Sequence, residues 1–513
     1  MVSYFSLIAL TVFSAFFAVF SFAVYLFTPP RNFPKNIPTI PFYYALLPLF
    51  KDVDQTELYR QYLKGPLENY GAVNLFFGGR WNILVRKPSF VAELFKYEDI
   101  YAKSGNQIKI PHSLVADYTG ENIISAHGAK WKLFTSVIKP ALQHEQDPTL
   151  IWHNARILKN MLLAGSTRSP SGIPVYDPFQ RYALANLSEV LFESSFETLQ
   201  KSDAPLHVLQ TQIKPKIFQP VFLNFPFLDR FNLKSRQDGR QLVRKFRALL
   251  SSIVAQGHKH VCDPESDRLA CRLFGAHREG LLSDKNFQDN LAVTFLAGHE
   301  NPQLALMSLM CLLGTHRDVQ ERLRAELNTR FPENAHKDFE PPYTDIHNLP
   351  LLTAVIYETL RLFPPLSQIC NRRTSAATVL GGTIAVPAGV YLGYHGYSTN
   401  RDTEFWGADA DAFKPERWGE NIEDITQLHR RATAKGAFIS FHGGRRACLG
   451  QKFTMEQLRI TMVELLRGVR WSVDESWDGR MTPAGPLYPR NLKLVFEELD
   501  DASPSAAAVD EDM

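Results

Sequence analysis

Charge of either sign is barely in excess: Lys+Arg 56 against Asp+Glu 53 leaves a formal net charge of +3 over 513 residues. Proteins that track along nucleic acid carry a surplus of cations, so no nucleic acid is expected among the partners. Cysteine is scarce as well. The five present, Cys262, Cys271, Cys311, Cys370 and Cys448, are odd in number, scattered and nowhere spaced as CxxC. That excludes a disulfide framework or zinc site as the reading and favours a reducing compartment. No internal repeat or composition break divides the chain, so one large domain is expected. No Lys or Arg precedes Arg31, which disfavours a secretory signal with its positively charged start.

What the N-terminus has instead is an apolar run. Tyr4 to Phe27 contains no charged residue and is long enough to cross a bilayer as a helix. Arg31 and Lys35 follow it, and the bias of basic residues toward the inner side puts the remainder in the cytosol. A cleaved signal peptide or a buried helix would be the alternatives. Five prolines between Thr28 and Pro41 rule out helix there and leave a stiff, extended hinge. The expected organisation is a membrane anchor over 1–28, a hinge over 29–41, a globular domain over 42–497 and a disordered acidic tail over 498–513.

The stretch Phe441-His442-Gly443-Gly444-Arg445-Arg446-Ala447-Cys448-Leu449-Gly450 runs straight into a helical pattern from Gln451 to Leu466. A cysteine there meets free backbone N–H groups and the positive end of a helix, which favour a thiolate. For a cysteine alone, a buried structural role would be the better reading. Five matched positions change that. Phe-x-x-Gly-x-Arg-x-Cys-x-Gly resembles the heme-binding signature of the cytochrome P450 superfamily. The resemblance implies a mainly α fold with small β-sheets and a heme b whose iron, the only metal, takes the Cys448 thiolate as axial ligand. It further implies that Phe441 shields the sulfur, that Gly444 and Gly450 leave room beside the macrocycle, and that Arg446 meets a propionate.

Other landmarks occur in the family's order. Ala297-Gly298-His299-Glu300-Asn301-Pro302 lies mid-way along the longest apolar helical pattern, Asp284 to Leu313. The resemblance assigns Gly298 to a dioxygen groove and Glu300 to proton delivery. Asn301 departs from the pattern, standing where a Thr is usual, and Pro302 deprives the helix of a donor. Glu358-x-x-Arg361 puts two charges on one helix face, and Arg417, in Pro415-Glu416-Arg417-Trp418, matches the third member of a network that braces the heme loop. Trp131 and Lys132 open a helix that in the family reaches a propionate, although the Arg common four residues after the Trp is Thr135 here. Arg372 is a further propionate candidate.

Elsewhere the pattern predicts a hairpin at Gly71 to Val85, a loop at Ser104 to Pro111 that roofs the heme by analogy or is a solvated surface loop, and between Ile213 and Phe231 an aromatic lid or membrane-dipping region, with ordinary packing against the helix below as the alternative. A second small sheet is expected at Val379 to Tyr394 and a last strand at Asn491 to Phe496. The strings NFPKNIPTIPFY, DQTELY, KSGNQ, AGHENPQ, FHGGRRACLG and TPAGPL are similar to a fungal, sporulation-specific branch of the superfamily that joins two N-formyltyrosine molecules into bisformyl dityrosine. This implies a monooxygenase-type oxidoreductase that takes dioxygen, a small phenolic substrate and electrons from NADPH–cytochrome P450 reductase. It would sit in the endoplasmic reticulum membrane among lipid. The reductase would meet Lys130, Lys132, Arg445 and Lys452. A hydroxylase of another small lipophilic or aromatic substrate and a non-catalytic heme sensor are the rival functions. Lys109 is the expected cation for a substrate carboxylate.

Overall fold

A computed structural model describes residues 4–499 except 170, 232, 258–267 and 332–339, so Cys262 and all but the first two residues of the expected tail lie outside the described residues. The fold is built round one helix, Asp284–Thr315, here the central helix. Ser283 caps it, accepting from the Asn286 N–H at 3.2 Å, and Asp284 adds a negative charge to its first turn. It is apolar nearly all round because neighbours cover it on every side. Helices Tyr176–Asn186, Lys234–Gly257, Pro350–Leu362 and Gln451–Gly468 all pack against it. They share one continuous apolar core with it.

The β structure is peripheral. Strands β1 (Ala72–Phe77), β2 (Arg80–Val85), β3 (Tyr101–Lys103), β5 (Gln368–Thr374) and β8 (Tyr391–His395) form one sheet in the order β1-β2-β8-β5-β3. β1 and β2 are joined by Gly78 and Gly79 with φ of 58° and 77°, the left-handed pair that a two-residue hairpin turn demands. Strands β4 (Ile173–Pro174), β9 (Val469–Val473) and β10 (Lys493–Glu498) make a second sheet, and β6 (Thr378–Leu380) and β7 (Ile384–Val386) a third. The sequence expectation of one separate sheet over Val379 to Tyr394 is therefore corrected. β8 leaves that pair and runs parallel to β2, because all five of its residues are buried and need a partner on each side.

The helix Tyr4–Phe27 is exposed along most of its length. Its window Leu7–Val24, with a mean hydropathy of 2.4, makes it a candidate membrane span. Its C-terminal half meets the aromatic region predicted from sequence: the Phe22 and Phe227 rings lie 5.7 Å apart, edge to face. Phe218, Phe227 and Phe231 remain exposed beside it. Anchor and aromatic region thus present one apolar surface.

Candidate active site

The cysteine loop hangs between the sheet and the helix Gln451–Gly468. His442 and Gly444 take φ of 64° and 63°. At Gly444 a side chain is barred by geometry, since a Cβ would come within 2.8 Å of the Phe95 carbonyl oxygen. The turn closes when the Cys448 N–H donates to the Phe441 carbonyl at 2.9 Å. Cys448 is exposed, yet enough protein surrounds it that burial pushes its thiol up, while the N–H groups of Gly450 and Gln451 pull it back. A Cβ on Gly450, which caps that helix, would meet nothing within 4 Å. Sulfur and glycine border the same kind of open space.

Under the loop lies a closed ionic network. Glu358 and Arg361 have fully buried side chains, and Arg417 nearly so. Glu358 accepts from Arg361 Nε at 2.7 Å and Nη2 at 2.8 Å, from Arg417 Nε at 2.9 Å, from Trp418 Nε1 at 3.0 Å and from the Lys414 N–H at 3.0 Å. The remaining donors of the two arginines reach the carbonyls of Asn400, Trp406, Asp409, Ala410 and Ala412 and the Asp409 carboxylate. Asn400 passes the constraint on. Its amide accepts from the Ile439 N–H at 2.9 Å and donates to Ser440 Oγ at 2.8 Å, adjoining Phe441.

Beside the loop the charges do not close. Lys103, Arg372 and Arg446 gather round His442; among the described residues Glu98 is the carboxylate that acts on them, and burial, then Arg372 and Arg446, push the Lys103 ammonium well below the ordinary lysine range. Arg446 ion-pairs with Glu98, donates to the carbonyls of Ile123 and Ala126, and lies 4.0 Å from the centre of the Trp131 ring. Arg372 spends Nη1 on the Tyr101 carbonyl at 2.9 Å, but its Nε and Nη2 are buried with no partner. The Lys103 ammonium lies 3.3 Å from His442 Nε2, and Tyr394 Oη 2.6 Å from the same nitrogen. Burial first, then the three neighbouring cations, holds His442 neutral, well below the usual histidine range. Lys132 is exposed on the helix Gly128–Gln143 and joins none of these contacts.

On the central helix the surface breaks open mid-way: Leu296, Ala297, Gly298, Glu300 and Asn301 are half-buried between long buried runs. A Cβ on Gly298 would lie 2.6 Å from Leu187 Cδ1, so a larger residue there requires that leucine side chain to shift. Glu300 pairs with Lys214 of the helix Pro205–Ile217 at 3.0 Å, and Lys214 also donates to Tyr176 Oη at 3.1 Å. Burial pushes the Glu300 carboxyl up, but Lys214 and His299 together more than offset this and hold it below the usual range. Burial moves His299 to about 4, so it is neutral, with Nδ1 donating to the Phe295 carbonyl at 2.5 Å and Nε2 accepting from Gln210 at 2.6 Å. The Asn301 amide reaches back to the Ala297 carbonyl at 3.4 Å.

The family model for cytochrome P450 matches residues 37–494. The chain is a cytochrome P450. It is 44% identical to Cytochrome P450-DIT2 of Saccharomyces cerevisiae over 92% of this chain and 95% of that one. To Cytochrome P450 monooxygenase xanG of Aspergillus fumigatus it is 37% identical, over 91% of this chain and 87% of the relative. Its fold matches the crystal structure of the cytochrome P450DA heme domain with a TM-score of 0.72, at 18% identity, covering 92% of this chain and 99% of that one.

A cytochrome P450 carries a heme with a thiolate on iron, and the residues in place fit one. The only cysteine in open space stands at a helix N-terminus among the described residues. Lys103, Arg372 and Arg446 face one carboxylate, with two guanidinium nitrogens left over; two propionates would supply the negative charge that this cluster lacks. Sequence reasoning missed Glu98, Lys103, His442 and Lys214. His442 stood inside the signature and could have been found there. The other three carry no local signal, since each acts through a partner distant in sequence. Lys109 is corrected: its ammonium is enclosed by Asn82 Oδ1 at 3.0 Å, the Cys370 carbonyl at 3.3 Å and the Phe77 and Tyr391 rings. It is not held out toward a substrate carboxylate.

Proposed function

We propose that this cytochrome P450 joins two N-formyltyrosine molecules, or closely similar phenols, through a new carbon–carbon bond. The observation that carries the reading is the 44% identity to Cytochrome P450-DIT2 across nearly the whole of both chains, on top of the dispersed strings that resemble the dityrosine-forming branch. The cofactor would be heme b, which Cys448 would hold through its thiolate, with Arg372, Arg446 and Lys103 placed to take its propionates. The protein sits in the endoplasmic reticulum membrane through its N-terminal helix, with the catalytic domain in the cytosol.

Bound heme supplies the activation of dioxygen that withdraws hydrogen from a phenol. The balance is two phenols, one dioxygen, NADPH and a proton going to one coupled product, two waters and NADP⁺. No oxygen atom enters the product. The chain's residues bind and orient. Glu300, kept ionised by Lys214, holds a charged acceptor beside the opening of the central helix, and Asn301 positions a water where a hydroxyl is usual. Two rings held in contact gain most of the remaining rate from proximity. Electrons come from NADPH–cytochrome P450 reductase. Of the four basic residues proposed to meet it, Lys130 pairs with Glu121 at 2.6 Å and Arg445 with Asp99 at 3.4 Å, whereas Lys132 and Lys452 are exposed.

The test is incubation with reductase, NADPH and N-formyltyrosine under oxygen-18. A fluorescent dimer of two substrates less two hydrogens, free of label, is expected. A labelled, monohydroxylated monomer as main product would overturn coupling and leave a hydroxylase, the reading favoured by the monooxygenase likeness to xanG.

A further inference from the structure

A cleft of about 610 Å³ opens where the helices Leu114–Thr119 and Lys234–Gly257 meet the first turns of the central helix, with Gln107 in its lining. Its size lies within the roughly 300–1,000 Å³ of small-molecule pockets. Arg240, Arg244, Arg247 and Lys285 line it, with Asp117 as its only acidic lining residue. Arg240 is paired with Asp117. Arg247 and Lys285 both lean on Asp289, each at 2.6 Å. Arg244 is exposed and makes no ion pair among the described residues. Four cations therefore share two carboxylates, an imbalance that attracts an anion.

The second observation concerns the amide. Gln107 has both Nε2 and Oε1 buried without a hydrogen-bond partner, and Arg247 Nε is buried and unpartnered as well. A buried primary amide with a free donor and a free acceptor is costly unless something completes it. A ligand amide can complete one of the two, its N–H donating to Oε1 or its carbonyl accepting from Nε2.

We propose that this cleft binds a carboxylate that carries a neighbouring secondary amide, which is the chemistry of an N-acyl amino acid. Arg244, helped by Arg240 and Lys285, takes the carboxylate, and Gln107 pairs with the acyl amide, leaving the side-chain ring free to turn inward. This rests on the proposed N-formyltyrosine reading and supplies the recognition site that Lys109 does not.

The experiment titrates the full-length holoenzyme, wild type, Arg244→Glu, Arg244→Lys and Gln107→Leu, by equilibrium dialysis. The ligands come in pairs: N-formyltyrosine with N-formyltyramine, and N-acetylphenylalanine with N-acetylphenethylamine. Each second member lacks only the carboxylate, and the phenylalanine pair has no phenol to couple. Arg244→Glu is expected to weaken both acids at least roughly tenfold and leave both decarboxylated partners unchanged. Arg244→Lys should keep most of the affinity. Gln107→Leu should weaken all four ligands alike. Equal binding of acid and decarboxylated partner in wild type and Arg244→Glu, for both pairs, would overturn the site whatever products the enzyme makes. Discrimination in the phenylalanine pair together with a failure to dimerise tyrosine would leave the site standing and remove the coupling reading alone.

Discussion

Two charge clusters flank the cysteine loop, and they differ in one respect. The Glu358, Arg361 and Arg417 network is closed, with each guanidinium donor and both carboxylate oxygens engaged within the protein. The Lys103, Arg372 and Arg446 cluster is open, short of negative charge and with Arg372 Nε and Nη2 unspent. A buried polar group must be satisfied by something. The closed cluster is satisfied by the fold and so belongs to the fold. The open one is completed by what the fold binds. Breaking the two should therefore give opposite results in protein stripped of heme.

The largest effect is expected from Glu358→Ala. It strands two arginines, both with side chains nearly or fully buried, and removing one partner of such a network costs about 3–5 kcal/mol. Through Asn400 the damage reaches Ile439 and Ser440, so the cysteine loop loosens too. Thermal unfolding should show a large loss in apoprotein and holoprotein alike, and purified protein should carry little heme. Full heme content with unchanged melting would remove the distinction between the clusters.

Cys448→Ala should act on ligation alone. The side chain borders open space, so little packing is lost, and the apoprotein should melt as wild type does. The reduced carbon monoxide spectrum should lose its thiolate character. Replacement of Cys271, Cys311 or Cys370, all buried, should leave that spectrum intact; a thiolate-type spectrum surviving in Cys448→Ala would refute the ligand.

Arg372→Leu is the counterpart of Glu358→Ala. It removes a buried cation that has two unpartnered nitrogens, so apoprotein stability should hold or rise. Heme should be lost faster to a scavenger protein, by the roughly 10- to 150-fold that a charge-assisted hydrogen bond of about 1.5–3 kcal/mol implies. A variant that destabilises the apoprotein and leaves heme transfer unchanged would place Arg372 with the closed network.

The contrast also marks what could be read in advance. The hairpin and the central helix were legible from their hydrophobic pattern, and the fold class and all three members of the closed network from motifs that resemble the family's. Glu358 and Arg361 are three apart on one helix, and Arg417 sits in a recognisable turn. The open cluster was half legible. Arg372 and Arg446 stood out, but Lys103 on β3 and Glu98 just before it reach the loop only because β3 pairs with β5, a pairing between residues about 270 positions apart in sequence. β8 was misplaced for a related reason: an apolar run shows that a strand is buried and says nothing of which sheet buries it. Lys214 gave no sign, since its partner Glu300 lies on another helix.

That pair yields the smallest and most conditional effect. Glu300 sits below the ordinary 4.5 because Lys214 and His299 offset the upward push of burial, and Lys214 sits above the ordinary 10.5 because Glu300 and Tyr176 offset the downward push. The carboxylate's contribution to stability is thus present above pH 4.5 and is lost as pH falls through its lowered value. The ammonium's is present below pH 10.5 and is lost as pH rises through its raised value. Between those limits the pair is intact, and wild-type stability should show no step attributable to it. Lys214→Met removes the stronger of the groups that hold Glu300 down, and burial then raises the carboxyl above its ordinary value. The sign reverses: stability should now be lower at pH 7.5 and recover as pH falls toward 5.5, as the lone carboxylate takes up a proton. The side chains keep 17% and 20% of their exposure, so the loss at neutral pH should be about 1–2 kcal/mol, between the values for exposed and fully buried pairs. Melting temperatures at the two pH values check it, with Lys214→Arg as the control that keeps the wild-type profile. A Lys214→Met protein that melts identically at both would show that Glu300 is charged for some reason other than Lys214.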